Sequence, residues 1–164
     1  RIAMTFTVEV ESPVSAARMF KAAVFDWHNI GPKIAPQIVC SATLLEGDGS
    51  VGSIRLIKFN SEKEGGNMHY HYIKEHLDFI DHQNFECKTT VSEGGRHENI
   101  LETASVHYKI EPTSTGGCIC KMVIDAKFKP GIDARHEEAK IKEHWVMHYK
   151  DVGAYLFANP DAYV

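Results

Sequence analysis

The chain has 164 residues, of which 43% are hydrophobic. This length supports one well-buried core and is too short for two ordinary domains, so we expect a single domain over residues 1–164. Its 18 basic and 22 acidic residues are interspersed and give a formal net charge of −4, which excludes a broad cationic surface for phosphate backbones or anionic lipid. A stable complex with nucleic acid is therefore not expected.

Residues Met4 to Glu11 alternate apolar and polar side chains, which predicts a half-buried strand. Ser12-Pro13 has the pattern of an N-cap followed by proline at the first helical position, and it predicts a helix over about 13–24. A second short helix is predicted from Trp27 to Ile34, interrupted by Gly31-Pro32. Two short helices thus follow the first strand.

The segment from Gln37 to Phe128 consists of apolar runs separated by turn residues and predicts six consecutive strands. The predicted turns are Gly47-Asp48-Gly49, Gly65-Gly66-Asn67, Asp81 to Asn84, Glu93-Gly94-Gly95 and Pro112 to Gly117. Beyond them, Asp133 is predicted to cap a long last helix that ends at Pro160, because apolar residues recur between them at helical spacing.

A seven-stranded antiparallel sheet must cover its apolar face, and the last helix is the one large element available to cover it. The sequence therefore predicts an α+β fold in which a curved sheet grips a long C-terminal helix. Because one helix rarely fills a concave sheet, we also expect an internal cavity.

The four cysteines are predicted to be reduced. Cys118 and Cys120 place both thiols on one face of a strand, and neither Cys40 nor Cys87 supplies a second pair at zinc-finger spacing. The chain opens without a charged segment followed by an apolar one, and it has no run of about 18 apolar residues. We therefore expect a cytoplasmic protein without a membrane span, and a monomer.

The segment from Gly47 to Gly52 has the glycine content of a phosphate-binding loop. Ser53, however, stands where such a loop needs lysine, and a strand follows instead of a helix. We therefore interpret the segment as a tight turn that needs a positive φ at Gly49 or Gly52.

Two long segments, PVSAARMFKAAVFDWHNIGPKIAP at 13–36 and EGDGSVGSI at 46–54, resemble the class 10 plant pathogenesis-related proteins, which include the major birch pollen allergen. The resemblance continues through residues 72–75, 78–81, 84–85, 93–95 and 161–163 and so spans nearly the whole chain. It implies a helix-grip fold whose cavity holds flavonoids, cytokinins, steroids or similar amphipathic molecules, in a defence or stress setting.

The resemblance also extends to norcoclaurine synthases, which use a Tyr, a Glu, a Lys and an Asp for a Pictet–Spengler condensation. Those positions fall at Ile73, Glu75, Cys87 and near Val106, so only the glutamate is kept. A lone carboxylate supplies little of the proton relay that this reaction needs. The interpretation therefore leans against an enzyme, and no catalytic residue is assigned.

Ribonuclease activity is a second claim attached to the family. The resemblance places its glycine-loop lysine at Arg55, its two glutamates at Glu102 and Gly153, and its tyrosine at Tyr155. Acid–base cleavage of RNA needs paired titratable groups, and one of the two carboxylates is missing. A basic groove with aromatic residues for single strands is also missing from the sequence pattern.

Several histidines have spacings compatible with metal binding. His69 and His71 would share a strand face, and His144 and His148 lie one helical turn apart. The sequence fixes no third ligand, so we interpret them as surface or cavity histidines and expect no metal and no cofactor.

By family position, the predicted cavity surface comes from five strands and the last helix. Its residues are Arg55, Ile57, Phe59, His71, Ile73, Glu75, Cys87, Thr89, Val91, Ala104, Val106, Ile119, Lys142, Trp145 and Tyr149. Relatives often carry two tyrosines where Cys87 and Thr89 stand, so the smaller side chains predict a wider or longer pocket. Glu75 is expected to orient a ligand by accepting a hydrogen bond from its hydroxyl or amine.

The expected function is the binding and storage of small hydrophobic metabolites or hormones. Three alternatives stay open: an enzyme of specialised metabolism that uses Glu75 with Tyr72 or Lys142, a ribonuclease that uses the cavity, and a receptor of the abscisic-acid type that inhibits a phosphatase. Such a receptor needs a gate loop with a proline, and residues 60–68 contain none.

Overall fold

The computed structural model describes residues 2–36, 39–59, 72–94 and 101–164. Its seven strands form one antiparallel sheet in the order β1-β7-β6-β5-β4-β3-β2. The strands are β1 (Ile2–Ser12), β2 (Val39–Glu46), β3 (Ile54–Phe59), β4 (Tyr72–Asp81), β5 (Glu86–Gly94), β6 (Leu101–Pro112) and β7 (Cys118–Phe128). The helices are α1 (Ala16–Met19), which continues as a π-helical segment (Phe20–Phe25), α2 (Trp27–Ile34) and α3 (Ala134–Ala158). The predicted α+β architecture is confirmed.

The first helix begins later than predicted. Ser12 pairs with Cys118 across β1 and β7, and this pairing keeps its backbone extended. The N-cap is Ser15, whose Oγ accepts a hydrogen bond from the backbone N–H of Arg18 at 3.4 Å. The prediction from Ser12-Pro13 was wrong because strand pairing, which a local pattern does not reveal, outweighs the local capping signal.

Helix α2 is not interrupted at Gly31-Pro32, contrary to the prediction. The helix runs through both residues, and the backbone N–H of Ala35 donates to the Gly31 carbonyl at 2.9 Å. Trp27, Ile30 and Gly31 are all buried. Because Pro32 removes only one donor from a short helix, the burial of this apolar face is enough to hold it together.

Helix α3 lies against the inner face of the sheet and closes the core. Its N-cap is Asp133, as predicted, and the Asp133 carboxylate accepts from the backbone N–H of His136 at 3.2 Å. Tyr149, Val152 and Leu156 are fully buried along the helix. No helix in the described parts of the chain is long and apolar enough to cross a membrane.

The C-terminal end of α3 is held by Arg18 of α1. The Arg18 guanidinium donates to the carbonyl oxygens of Leu156, Asn159 and Ala162 at 2.8–3.0 Å. These carbonyls stand at or just beyond the last helical turn, where the helix itself offers no partner. Arg18 thereby fixes the end of the long helix to the short helix beneath it.

Gly47 provides a direct test of the turn between β2 and β3. Its φ is +85°, and an added Cβ would overlap Ser53 Oγ and lie 2.9 Å from Ser53 Cα. We expect Gly47→Ala to lower the free energy of unfolding by about 3 kcal/mol, since alanine would be forced into a left-handed backbone conformation and its Cβ would overlap Ser53. Urea unfolding followed by circular dichroism measures this loss.

Gly116→Ala is the matched control for that substitution. Gly116 has a φ of +89° but open space around an added Cβ. Its expected loss is about 1–2 kcal/mol, from backbone strain alone. Equal losses in the two variants would contradict the importance of the contact with Ser53.

Candidate ligand-binding cavity

The glycine-rich loop is a closed turn that uses its own backbone donors. Gly47, Gly49 and Gly52 all have positive φ, which confirms the prediction of a tight turn. The four N–H groups that a phosphate would need already donate within the protein: Gly49 to Ser53 Oγ, Ser50 to Asp48 Oδ1, Gly52 to the Leu77 carbonyl and Ser53 to the Ser50 carbonyl. Hydrogen bonds from the Ser50 hydroxyl and the Ser50 backbone N–H lower the pKa of the Asp48 carboxyl, so the loop carries a negative charge that disfavours phosphate.

A cavity of about 70 Å³ lies between the inner face of the sheet and helix α3. Most of the described residues that line it are apolar, and six aromatic or titratable side chains from five elements stand among them. The lining comprises Trp27, Phe59, Ile73, Glu75, Val91, Leu101, Ala104, Val106, Tyr108, Ile124, Ala126, Ile141, His144 and Trp145. Such a wall suits a molecule with an apolar body and few polar groups.

Alternation along the strands places the predicted residues of β3 to β6 on the inner face of the sheet. Six of them line the cavity: Phe59, Ile73, Glu75, Val91, Ala104 and Val106. Arg55, Ile57, Cys87 and Thr89 are buried beside it without lining it. Of the helix residues, Trp145 lines the cavity, Tyr149 is buried, and Lys142 is half-buried and not part of this wall. His71 lies outside the described residues, as do His69 and residues 60–68, where a receptor of the abscisic-acid type would need a gate loop.

Ile119 is a wrong prediction. It pairs with Glu11 and Glu111 on the neighbouring strands, and the buried positions of β7 are Cys118, Cys120 and the alternate residues that follow. Because side chains alternate between the two faces of a strand, Ile119 points to the outer face. An inward position on β7 would have required an even residue number.

The sequence prediction missed half of the lining: Trp27, Leu101, Tyr108, Ile124, Ala126, Ile141 and His144. Tyr108 continues the alternation of Ala104 and Val106, and Ile141 lies three and four residues before His144 and Trp145, so periodicity could have found them. Trp27 had no such signal, because its position depends on how α2 packs against α3.

Cys87 and Thr89 do not widen this cavity. Cys87 pairs with Tyr108 across β5 and β6, and burial raises the pKa values of the Tyr108 and Tyr149 hydroxyls. Buried aromatic rings therefore occupy the space beside the small side chains. Burial also raises the pKa of the Cys87 thiol to about 12, so it stays protonated and is a poor nucleophile at neutral pH.

Glu75 forms a buried network with Arg55 and Tyr108. Arg55 Nε donates to Glu75 Oε1 at 2.7 Å, and Arg55 Nη2 makes a second contact with the same oxygen. Tyr108 donates its hydroxyl to Glu75 Oε2 at 3.3 Å. Arg55 Nη1 also donates to the carbonyls of Val24 and Phe25 at 3.2 and 3.0 Å. Strands β3, β4 and β6 and the end of the π-helical segment thus meet at one ion pair.

His144 and His148 both stay neutral in this environment. Burial lowers the pKa of His144 to about 3 and that of His148 to about 4. His148 Nε2 donates to the Ala23 carbonyl at 2.9 Å, whereas His144 Nδ1 has no hydrogen-bond partner. Within the described ranges, no group of three His, Cys, Asp or Glu side chains could hold a metal ion.

Comparison with known proteins gives the family. A model described as the pathogenesis-related protein Bet v 1 family matches residues 2–159. The chain belongs to the Bet v 1 family. Pathogenesis-related protein 1 of Asparagus officinalis is 48% identical over 156 residues, which are 95% of each chain. Major pollen allergen Bet v 1-M/N of Betula pendula is 37% identical over 94% of each chain.

Solved structures of similar shape include other proteins of this fold. The crystal structure of Ara h 8.0201 superposes with a TM-score of 0.77 at 28% identity, over 96% of this chain and 100% of that one. Norcoclaurine synthase from Thalictrum flavum superposes with a TM-score of 0.75 at 18% identity, over 95% of this chain and 87% of that one. The second likeness shows the fold alone.

Several of the positions weighed above for catalysis carry side chains that are buried and already paired, or carry no titratable group. Among Ile73, Glu75, Cys87 and Val106, Glu75 is the one carboxyl group, and Arg55 and Tyr108 bind its two oxygens. Arg55 is itself 5% exposed, so this pairing and burial keep its guanidinium from a phosphate in solution. Gly153 faces Ser12 and Met19 and offers no proton-transfer group.

Proposed function

We propose that this Bet v 1 family member binds and carries small, largely apolar plant metabolites or hormones, in a defence or stress setting. The observation that carries the proposal is the apolar cavity between the sheet and α3, whose wall contains few polar groups. Binding there would be driven by burial of apolar area, and the polar groups would fix the orientation of the ligand. We further propose that the protein acts as a cytoplasmic monomer.

The size of the cavity implies that its wall moves when a ligand enters. Its volume of about 70 Å³ is less than half the volume of an apolar protein cavity that holds benzene, which is about 150 Å³. Trp145 is the side chain best placed to yield, because it lines the cavity and is only half-buried. Its ring lies 6.1 Å from that of Trp27 and 5.8 Å from that of Tyr108, so a shift of Trp145 would open the centre of the wall.

Intrinsic fluorescence tests the proposed function directly. The chain has two tryptophans, Trp27 and Trp145, and both line the cavity. We expect a flavonol such as quercetin, or a cytokinin such as trans-zeatin, to quench this fluorescence and to saturate at one molecule per chain. Calorimetric titration with the same molecules checks the stoichiometry.

Phenylalanine substitutions at two alanines show where the ligand binds. Ala104→Phe fills the cavity and is expected to weaken binding at least ten-fold, on the order of the burial energy of a ring. Ala139→Phe adds the same ring to the exposed surface of α3 and is expected to leave binding unchanged. Equal binding by both variants would place the ligand elsewhere. Native mass spectrometry of protein from its own tissue would then identify the retained molecule.

A further inference from the structure

Two buried polar atoms on the cavity wall have no hydrogen-bond partner. They are Nδ1 of His144, whose side chain is 5% exposed, and Nε1 of Trp27, whose side chain is 2% exposed. Buried polar groups are nearly always paired, so two unpaired ones on the same cavity indicate a partner that enters from outside. Both residues flank Trp145, with ring centres at 5.3 Å for His144 and 6.1 Å for Trp27.

The two atoms are complementary in hydrogen bonding. An indole nitrogen can only donate, whereas Nδ1 of a neutral imidazole accepts when the proton is on Nε2. Of the other polar groups on the wall, the Glu75 carboxylate is engaged with Arg55 and Tyr108. The Thr89 and Tyr149 hydroxyls also lack a partner, but neither residue lines the cavity. The free capacity of the described lining is therefore one donor and one acceptor.

The wall also offers no counter-charge to an ionised ligand. Glu75 is the only charged side chain among the described lining residues, and Arg55 neutralises it. A carboxylate or an ammonium group would lose its hydration on entering and gain no opposite charge. The arrangement therefore selects for neutral molecules.

We propose that His144 and Trp27 make the cavity selective for neutral ring compounds that carry a hydroxyl or N–H donor, such as phenols and N–H heterocycles. O-methyl ethers of these phenols, N-methyl derivatives of these heterocycles and ring compounds that carry a carboxylate are rejected. His144 Nδ1 accepts from the ligand donor, and Trp27 Nε1 donates to an acceptor on the ligand. This inference rests on the proposed binding function and names the chemistry by which that function discriminates.

Four one-ring probes test the selectivity: phenol, anisole, toluene and benzoate, each titrated by NMR. We expect phenol to bind about ten-fold more tightly than anisole, the effect of one hydrogen bond in a buried site. Benzoate is expected to bind more weakly than either. His144→Phe, which keeps the ring and removes both nitrogens, should abolish the preference for phenol. His107→Phe, on the outer face of the sheet, should preserve it.

A second measurement does not depend on the stability of a variant. In protein labelled with ¹⁵N-histidine, the Nδ1 resonance of His144 should shift on addition of phenol and stay in place on addition of toluene. Equal affinities of the wild type for phenol and anisole, or an unmoved Nδ1 resonance, would overturn the inference and leave the carrier function standing. Failure of all four probes, together with quercetin and trans-zeatin, would overturn the carrier function itself.

Discussion

Arg55→Met lowers the free energy of unfolding by about 3–5 kcal/mol, because it leaves the Glu75 carboxylate buried without a counter-charge. Glu75 is 3% exposed, and its remaining partner is the Tyr108 hydroxyl. The substitution also removes the donors that bind the Val24 and Phe25 carbonyls at the end of the π-helical segment. Chemical denaturation at pH 7 measures the loss.

Two further variants separate the ion pair from other effects of the substitution. The double variant Arg55→Met/Glu75→Gln removes both charges, and we expect it to be more stable than Arg55→Met alone. Lys121→Met breaks an exposed pair with Glu111, 2.9 Å long, and is expected to cost no more than about 1 kcal/mol. A loss as small for Arg55→Met as for Lys121→Met would show that the buried pair contributes little.

Acidification from pH 6.5 to 4 destabilises the protein through His144 and His148. Burial holds their folded pKa values at about 3 and about 4, whereas each titrates near 6.5 once unfolded. Unfolding therefore takes up protons below pH 6.5, and this contribution to stability, complete above that pH, is lost as the pH falls. The fully buried His144 contributes a slope of about 1.4 kcal/mol per pH unit to the free energy of unfolding, and the half-buried His148 contributes less.

His144→Phe isolates this effect from the titration of carboxylates. The variant keeps an aromatic ring at the position that packs against Phe59 and Trp145. We expect its stability to depend less steeply on pH between 6.5 and 4 than that of the wild type. His107→Phe, which removes a partly exposed histidine from the outer face of the sheet, should keep the wild-type slope over the same range. Parallel slopes for wild type and His144→Phe would contradict the prediction.

The strands and the last helix could be predicted because their signals are local. Period-two alternation in β1, the glycines at 47, 49 and 52, and the cap at Asp133 each reflect the conformation of a few neighbouring residues. The same local patterns predicted the order of these elements along the chain, and the structure confirms it. The resemblance to class 10 pathogenesis-related proteins is confirmed by the family match, whereas the binding function and its ligand are proposals.

Errors arose where a local signal competed with tertiary packing. Ser12 has a good capping sequence but pairs with β7, so the cap moved to Ser15. Pro32 is a helix breaker by itself but stands in a helix held by the buried side chain of Trp27. Ile119 was placed on the wrong face because a family position was used in place of the parity of its own strand.

The sequence by itself determined the sheet and the long helix, since these depend on spacing along the chain, and the family resemblance added most of the inward-facing residues of β3 to β6. Only the tertiary structure decided which of those residues line the cavity and what Glu75 does. Arg55 reaches Glu75 from the neighbouring strand β3 and Tyr108 from β6, two strands away, and Trp27 and His144 meet beside Trp145 from two different helices. Contacts between distant segments depend on how the elements pack, and no periodicity within one segment encodes that packing.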